Sequence, residues 1–369
     1  MDRRNFICLS AAGLALPLPL PLPLPLPLPL HGARREPVVR ARAKGYGIAW
    51  TSIPVRTSLA RQRTPSKRPL VGAEEFIELC HSHGAGIAQM GYEQLGATDQ
   101  DYLKTVRRLL EEREMGLELG VSARLLESEE SFAPVARVAK ELGVRCLRVA
   151  CLGGRRYETF QEMKSWQEFA SHWKRVLRES EPMLRRHRLR VGIENHKDWL
   201  ADEQVEILKS ISSPWLGACV DFGNNLALLE DSLEVVKKLA PYAVTTHLKD
   251  MAVRPSEDGF ELSEVVLGEG ITPLREIVRL LRRVDRELPI VLEMITRDPL
   301  RVPYKTDRYW ATYPERDQAR IARFERGVLS RASSPPLPHI SQLTPEKALL
   351  VENENLRRCS EYARHILKV

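Results

Sequence analysis

Four short segments in the second half of the chain pair an apolar run with a side chain that binds metals. They are Val191-Gly-Ile-Glu194-Asn195-His196, Ala218-Cys-Val-Asp221-Phe222, Val244-Thr-Thr-His247-Leu248-Lys249-Asp250 and Ile290-Val-Leu-Glu293-Met294. Glu194, Asp221, His247 and Glu293 together offer three oxygen donors and one nitrogen donor. That set suits one divalent cation, Mn²⁺, Mg²⁺, Co²⁺ or Zn²⁺. One carboxylate at a strand tip is ordinary, whereas four consecutive tips bearing Glu, Asp, His and Glu make a site if all four tips face the same way.

The rest of the chain shows how they would. Apolar runs at Tyr46–Trp50, Ile87–Met90, Leu117–Val121, Cys146–Cys151, Arg190–Glu194, Leu216–Phe222, Ala243–Leu248 and Ile290–Ile295 read as eight strands. Helical patterns alternate with them, over Glu74–Cys80, Asp101–Met115, Ser131–Leu142, Trp166–Arg186, Val205–Ile211, Leu233–Leu239 and Leu274–Val284. Strand-helix alternation makes a parallel sheet, and eight units predict an α/β fold of the (β/α)8 TIM barrel type over residues 44–331, with all strand ends on one face. No strand is followed by a dinucleotide or P-loop glycine pattern, which removes an open nucleotide-binding sheet. After Ser333-Ser-Pro-Pro-Leu-Pro338, residues 332–369 read as a linker and a C-terminal accessory helix. Thr344-Pro345-Glu346 would cap it, and Leu349, Leu350, Leu356, Tyr362 and Ile366 would dock onto the barrel or a second copy, allowing a homo-oligomer.

Residues 1–43 stand apart. Asp2-Arg3-Arg4-Asn5-Phe6-Ile7 is similar to a twin-arginine export signal, and Ala41-Arg42-Ala43 offers a cleavage site. Between them, Leu16–Leu30 alternates proline and leucine. Proline at every second position forbids a helix, so the stretch predicts no membrane span. The expectation is export of a folded, metal-loaded protein, with a cytoplasmic location if the segment is inert. This segment carries six arginines against Asp2 and Glu36, hence four of the seven formal positive charges. The remaining bias is too small to predict nucleic-acid binding, and a small-molecule partner is expected. The six cysteines form no CxxC pair and fall mostly within apolar patterns, so they read as buried thiols.

The segments Ile193–His196, Cys219–Asn224, His247–Met251, Leu267-Gly-Glu-Gly270 and Val291–Met294, in this order and spacing, resemble the xylose isomerase-like TIM barrels, specifically the sugar phosphate isomerase/epimerase group. The resemblance spans roughly residues 45–330. It implies one metal ion held by Glu194, Asp221, His247 and Glu293, with Glu194 and Glu293 also acting as the proton-transfer pair. Such chemistry removes a weakly acidic proton beside a carbonyl. A cation on the substrate oxygens stabilises the enediolate, and carboxylates on opposite faces take and return the proton. Where many relatives carry histidine, this chain has Asn224, a weaker ligand, which argues against a multi-zinc endonuclease site.

Six residues are expected around the substrate. His196 shares a strand face with Glu194, Asn224 can orient a hydroxyl, and Lys249 would meet substrate oxygens or pair with Glu269. Glu93 and Trp50 follow or end strands two and one. Arg155 and Arg156 are weighed as a phosphate site, and Tyr304, Tyr309, Trp310 and Tyr313 as a cover that stacks on sugar. His81 and His83 lie on a helix pattern and read as structural. The leading expectation is a metal-dependent isomerase or epimerase of a sugar or keto-sugar. The alternatives are a lyase or dehydratase on a keto-sugar or inosose-like substrate using the same enediolate, and a non-catalytic carbohydrate-binding barrel.

Overall fold

Eight of the apolar runs close on themselves. In the computed structural model, which describes residues 45–63, 71–333 and 336–369, they form a parallel barrel. Its strands are Gly47–Ala49 (β1), Ile87–Gly91 (β2), Gly116–Ser122 (β3), Leu147–Ala150 (β4), Val191–Glu194 (β5), Leu216–Asp221 (β6) and Ala243–Leu248 (β7), closed by Val291–Leu292. The twin-arginine-like motif, the Pro-Leu repeat and part of the linker lie outside the described residues. These strands are buried on both faces, which is why they read as continuous apolar runs rather than alternating ones. The barrel interior and the surrounding helices share one core, which includes Ile48, Leu119, Val149, Val191, Val220 and Leu292.

Three further strands were absent from the sequence reading. Asp250–Ser256 (β8) and Gly259–Val265 (β9) form an antiparallel hairpin after β7, joined by Leu300–Val302 (β11) beyond the closing barrel strand Val291–Leu292 (β10). The pairing of Ser256 with Gly259 leaves Glu257 and Asp258 as the turn. The two-residue turn is Glu-Asp, which lacks the glycine that would mark a hairpin in the sequence. A second apolar core lies against this small sheet, holding Tyr157, Phe260, Tyr304, Tyr309, Trp310, Tyr313 and Phe324. The aromatics expected to stack on sugar are therefore buried among one another. Tyr309 also donates to the Ala227 carbonyl at 2.9 Å and Trp310 Nε1 to the Tyr304 carbonyl at 2.6 Å.

The C-terminal helix Pro345–Tyr362 docks on the barrel beside the helix Pro54–Arg63, and the turn after it meets the helix Leu274–Val284. It thus fills the position of an eighth barrel helix. Its buried stripe is Ala348, Glu352, Leu356 and Cys359, continued by Ala363 in the turn after it, whereas Leu350 on the helix and Ile366 in that turn are exposed. The stripe is shifted from the predicted one because a carboxylate forms part of it. Glu352 is buried and accepts the N–H groups of Val55 at 2.6 Å and Arg56 at 2.9 Å, at the start of the helix Pro54–Arg63. Those amides have no partner within their own helix.

Candidate active site

Register decides the geometry. Asp221 pairs with His247 across β6 and β7, and Val291 pairs with His247 across β7 and β10. Glu194 ends β5, and Glu293 follows β10 with its N–H bonded to the Leu248 carbonyl at 2.9 Å. The four predicted ligands therefore converge at the C-terminal mouth of the barrel, and all are buried. His247 Nδ1 lies 3.4 Å from Glu194 Oε1, 3.7 Å from Asp221 Oδ2 and 3.4 Å from Glu293 Oε2. Ligands that share one ion at bonds of about 2.1 Å sit about 3.0–3.5 Å apart, so the cluster is close to the spacing of a mononuclear site.

Orphaned atoms point the same way. Gln89 Nε2 donates to Glu118 Oε2 at 3.0 Å, which turns Gln89 Oε1 towards His247 Nε2 at 2.7 Å. Nε2 is then the protonated nitrogen, and Nδ1 presents its lone pair to three carboxylates with no hydrogen-bond partner. Asp221 Oδ1 accepts the N–H groups of Gly223 at 2.8 Å and Asn224 at 2.7 Å, while Oδ2 forms no hydrogen bond of good geometry. Burial disfavours a charged His247, but the carboxylates of Glu293 and Glu194 outweigh it and raise the imidazole well above its ordinary range. The cluster thus calls for positive charge at this point, as a divalent ion would supply. Cys219 also stands nearby, but burial pushes its thiol up to about 11, so it remains a protonated neighbour.

Several residues that the sequence reading missed hold this arrangement. Asn195 Nδ2 donates to the Asp221 carbonyl at 2.9 Å and Asn195 Oδ1 accepts the Asp221 N–H at 2.8 Å, tying β5 to β6. Arg148 on β4 grips Glu194. Thr51 donates to Glu293 Oε1 at 2.8 Å, and the Gln89–Glu118 pair, extended by Thr245 at 2.8 Å, orients His247. A Cβ on Gly223 would come within 2.5 Å of Met251 Cγ and 3.0 Å of Lys249 Cδ, so only glycine lets Lys249 lie beside Asp221.

The remaining predictions divide. Asn224 Nδ2 donates to Glu194 Oε1 at 2.9 Å. Lys249 contacts Glu293 and lies 2.8 Å from Asp221 Oδ2. Burial works against its charge, but Asp221 and Glu293 raise it overall and keep it an ammonium. Half-buried His196 bonds the Leu152 carbonyl through Nδ1 at 2.8 Å, and burial lowers its pKa to about 4. Trp50 rests on Phe76 with ring centroids 5.0 Å apart, one residue before Thr51.

Glu269 lies elsewhere. It is exposed and paired with Arg358, because Asp250, not Lys249, organises its loop by accepting the N–H groups of Gly268, Gly270 and Thr272. Glu93 is exposed in the turn after β2 and, among the described residues, makes no hydrogen bond to the cluster. Arg155 pairs with Glu158 at 2.6 Å, and Arg156 is buried between Trp166 and Tyr313 with Glu203 at 2.9 Å, so neither awaits a phosphate. His81 and His83 precede β2, at the opposite end of the barrel.

Residues 41–320 match the xylose isomerase-like TIM barrel family, and the chain belongs to it. Among curated proteins it is 26% identical over 237 residues to a 3-oxo-isoapionate decarboxylase from Pectobacterium atrosepticum, covering 63% of this chain and 80% of that protein. Among solved structures it is similar to a D-psicose 3-epimerase from Clostridium cellulolyticum H10, with TM-score 0.56, 13% identity and coverage of 88% of this chain and 99% of the other. The IOLI protein with a bound zinc atom aligns with TM-score 0.51 and 13% identity over 87% of this chain and all of that one. These two likenesses concern the fold.

Proposed function

We propose that the protein is a divalent-metal-dependent lyase that decarboxylates a sugar-derived 3-oxo acid through its enolate. The observation that carries this reading is that each candidate base is already held by a cation, Glu194 by Arg148 and Glu293 by Lys249. A general base works best when its pKa lies near the working pH. Carboxylates gripped by guanidinium and ammonium groups are poor at taking a weakly acidic C–H proton, and decarboxylation needs no such base. The 26% identity to a 3-oxo acid decarboxylase supports the same branch.

Glu194, Asp221, His247 and Glu293 would hold the ion, which, when bound, offsets negative charge developing on the substrate's carbonyl oxygen. Arg148 and Lys249 keep the ligand carboxylates ionised and in place. The C–C bond to the substrate carboxylate breaks, its electron pair moves into the carbonyl to give the enolate, and CO₂ leaves. The α-carbon then takes a proton from solvent. Neutral His196 lies beside this centre, its Nδ1 on the Leu152 carbonyl, and its Nε2, which makes no hydrogen bond among the described residues, would accept one from a substrate hydroxyl. The carboxylates of the cluster are paired with two side-chain cations, Arg148 and Lys249, while a third, Lys197, lies close by on Asn224, so a bound divalent ion would leave positive charge in excess, which suits an anionic substrate.

A second reading, epimerisation or isomerisation of a neutral keto-sugar, is favoured by Glu194 and Glu293 flanking one cluster. The metal-loaded protein, given a panel of 3-oxo sugar acids and neutral ketoses in D₂O, separates the two. The decarboxylase releases CO₂ and places one deuteron on the α-carbon. Inversion and deuterium exchange in a ketose, with no CO₂ from any 3-oxo acid, would overturn the first reading in favour of the second.

A further inference from the structure

Among the described residues, the other buried or half-buried cations around the mouth of the barrel each have a carboxylate. Arg148 has Glu194, Arg156 has Glu203, Lys249 has Asp221 and Glu293, and Arg297 has Glu264 at 2.5 Å. Lys197 differs. Its side chain is buried, with only 5% of the residue exposed, and its ammonium bonds a neutral acceptor, Asn224 Oδ1. Among the described residues, no carboxylate comes within ion-pair distance of it. An ammonium has three N–H donors, so two remain to be used in a place from which water is largely excluded. A buried charge without a counterion is costly, and an anionic ligand would supply the counterion that the protein does not.

The backbone shows the same selection. Lys197 has φ +64°, a left-handed conformation that is uncommon for a residue with a long side chain. The conformation is held from both sides. The Arg156 N–H bonds the Lys197 carbonyl at 3.0 Å, and Asp198 Oδ1 accepts the N–H groups of His196 at 3.0 Å and Trp199 at 2.8 Å. Asn224 links Lys197 to the metal-ligand cluster, since its Oδ1 receives the ammonium and its Nδ2 donates to Glu194 Oε1. The ammonium therefore stands one side chain away from the predicted reacting centre. Burial, reinforced by Lys249 and Arg297 and offset only in part by the more distant Asp221 and Glu264, pulls it down to about 8.

We propose that Lys197 is a specificity-determining residue that receives the carboxylate of the substrate and so selects sugar acids over neutral sugars. The inference rests on the reading above for placing the substrate at the metal ligands. It adds the group that recognises the anion.

The test measures binding, not turnover. The metal-loaded protein is titrated calorimetrically with D-erythronate and with erythritol, a matched acid and neutral polyol. The wild type binds the aldonate more tightly. Lys197→Met weakens aldonate binding about ten- to one-hundredfold, the range for a charge-assisted hydrogen bond, and leaves erythritol unchanged. Lys197→Asn, whose side chain tolerates the left-handed backbone, repeats the loss if the methionine variant does not fold. Lys197→Arg restores part of the preference. Unchanged aldonate affinity in both neutral variants, or an equal loss for both ligands, would overturn the assignment. If aldonate binding depends on Lys197 but no 3-oxo acid yields CO₂, the decarboxylase reading fails and this inference stands. If CO₂ is released with the same KM in Lys197→Met, this inference fails and the decarboxylase reading stands.

Discussion

His247 and Gln89 face each other across the barrel, with Nε2 2.7 Å from the amide oxygen, although they are far apart in sequence. Glu118, buried behind Gln89, makes that amide present its oxygen to the imidazole. The histidine is thereby locked as the tautomer whose Nδ1 is free for a metal. Replacing Gln89 by Leu removes this lock without touching a ligand. Metal affinity, measured by competition with a chelating dye, is expected to fall about 10–100-fold.

Removing a ligand goes further. His247→Ala or Asp221→Ala is expected to leave less than stoichiometric metal after dialysis, where the wild type retains one divalent ion per chain by elemental analysis. A Glu194, Asp221, His247 and Glu293 quadruple alanine variant that still carried one ion would show that the metal sits elsewhere.

Asp198 gives a pH dependence of stability. Burial raises its carboxyl from 3.8 to about 7, and its Oδ2 has no hydrogen-bond partner. The folded state thus favours the neutral acid. The penalty for ionising it is absent below about pH 4, grows as pH rises through the interval to about 7, and is complete above that. Asp198→Asn keeps an oxygen for the His196 and Trp199 N–H groups but cannot ionise. Thermal melts are expected to show wild type losing stability relative to this variant between pH 4 and 7, by on the order of a few kcal/mol. Parallel curves for the two proteins would mean that Asp198 does not titrate in that window.

Glu352 ties the last helix to the first. Glu352→Ala leaves the Val55 and Arg56 N–H groups unpaired at a buried helix start, and is expected to lower stability by about 1–2 kcal/mol in chemical denaturation. Glu352→Gln keeps an acceptor oxygen and is expected to lose less.

The barrel and the four strand tips that converge at its mouth were legible in the sequence because both follow local rules. Strands buried on both faces must be apolar throughout, and a parallel sheet puts every strand's C-terminal end on one side. Glu194, Asp221, His247 and Glu293 were therefore visible as four strand tips before any contact was known. Asn224 and Lys249 were visible too, as close neighbours of those tips.

Tertiary structure decided everything that depends on which residues meet across the barrel. Arg148, Gln89 and Glu118 lie inside early strands with no motif to mark them, and only closure of the sheet brings them to Glu194 and His247. A pairing of Lys249 with Glu269 was one of two alternatives that charge and proximity in sequence allowed, but the turn built by Asp250 sends Glu269 outward while Gly223 makes room for Lys249 inside. The aromatic loop had the composition of a sugar cover, yet apolar rings bury wherever a sheet offers a face, and the hairpin of β8 and β9 offered one. Lys197 carried no signal in composition or period. Its role rests on burial, a left-handed backbone and the lack of a nearby carboxylate, and these are properties of three-dimensional surroundings that spacing along a chain does not encode.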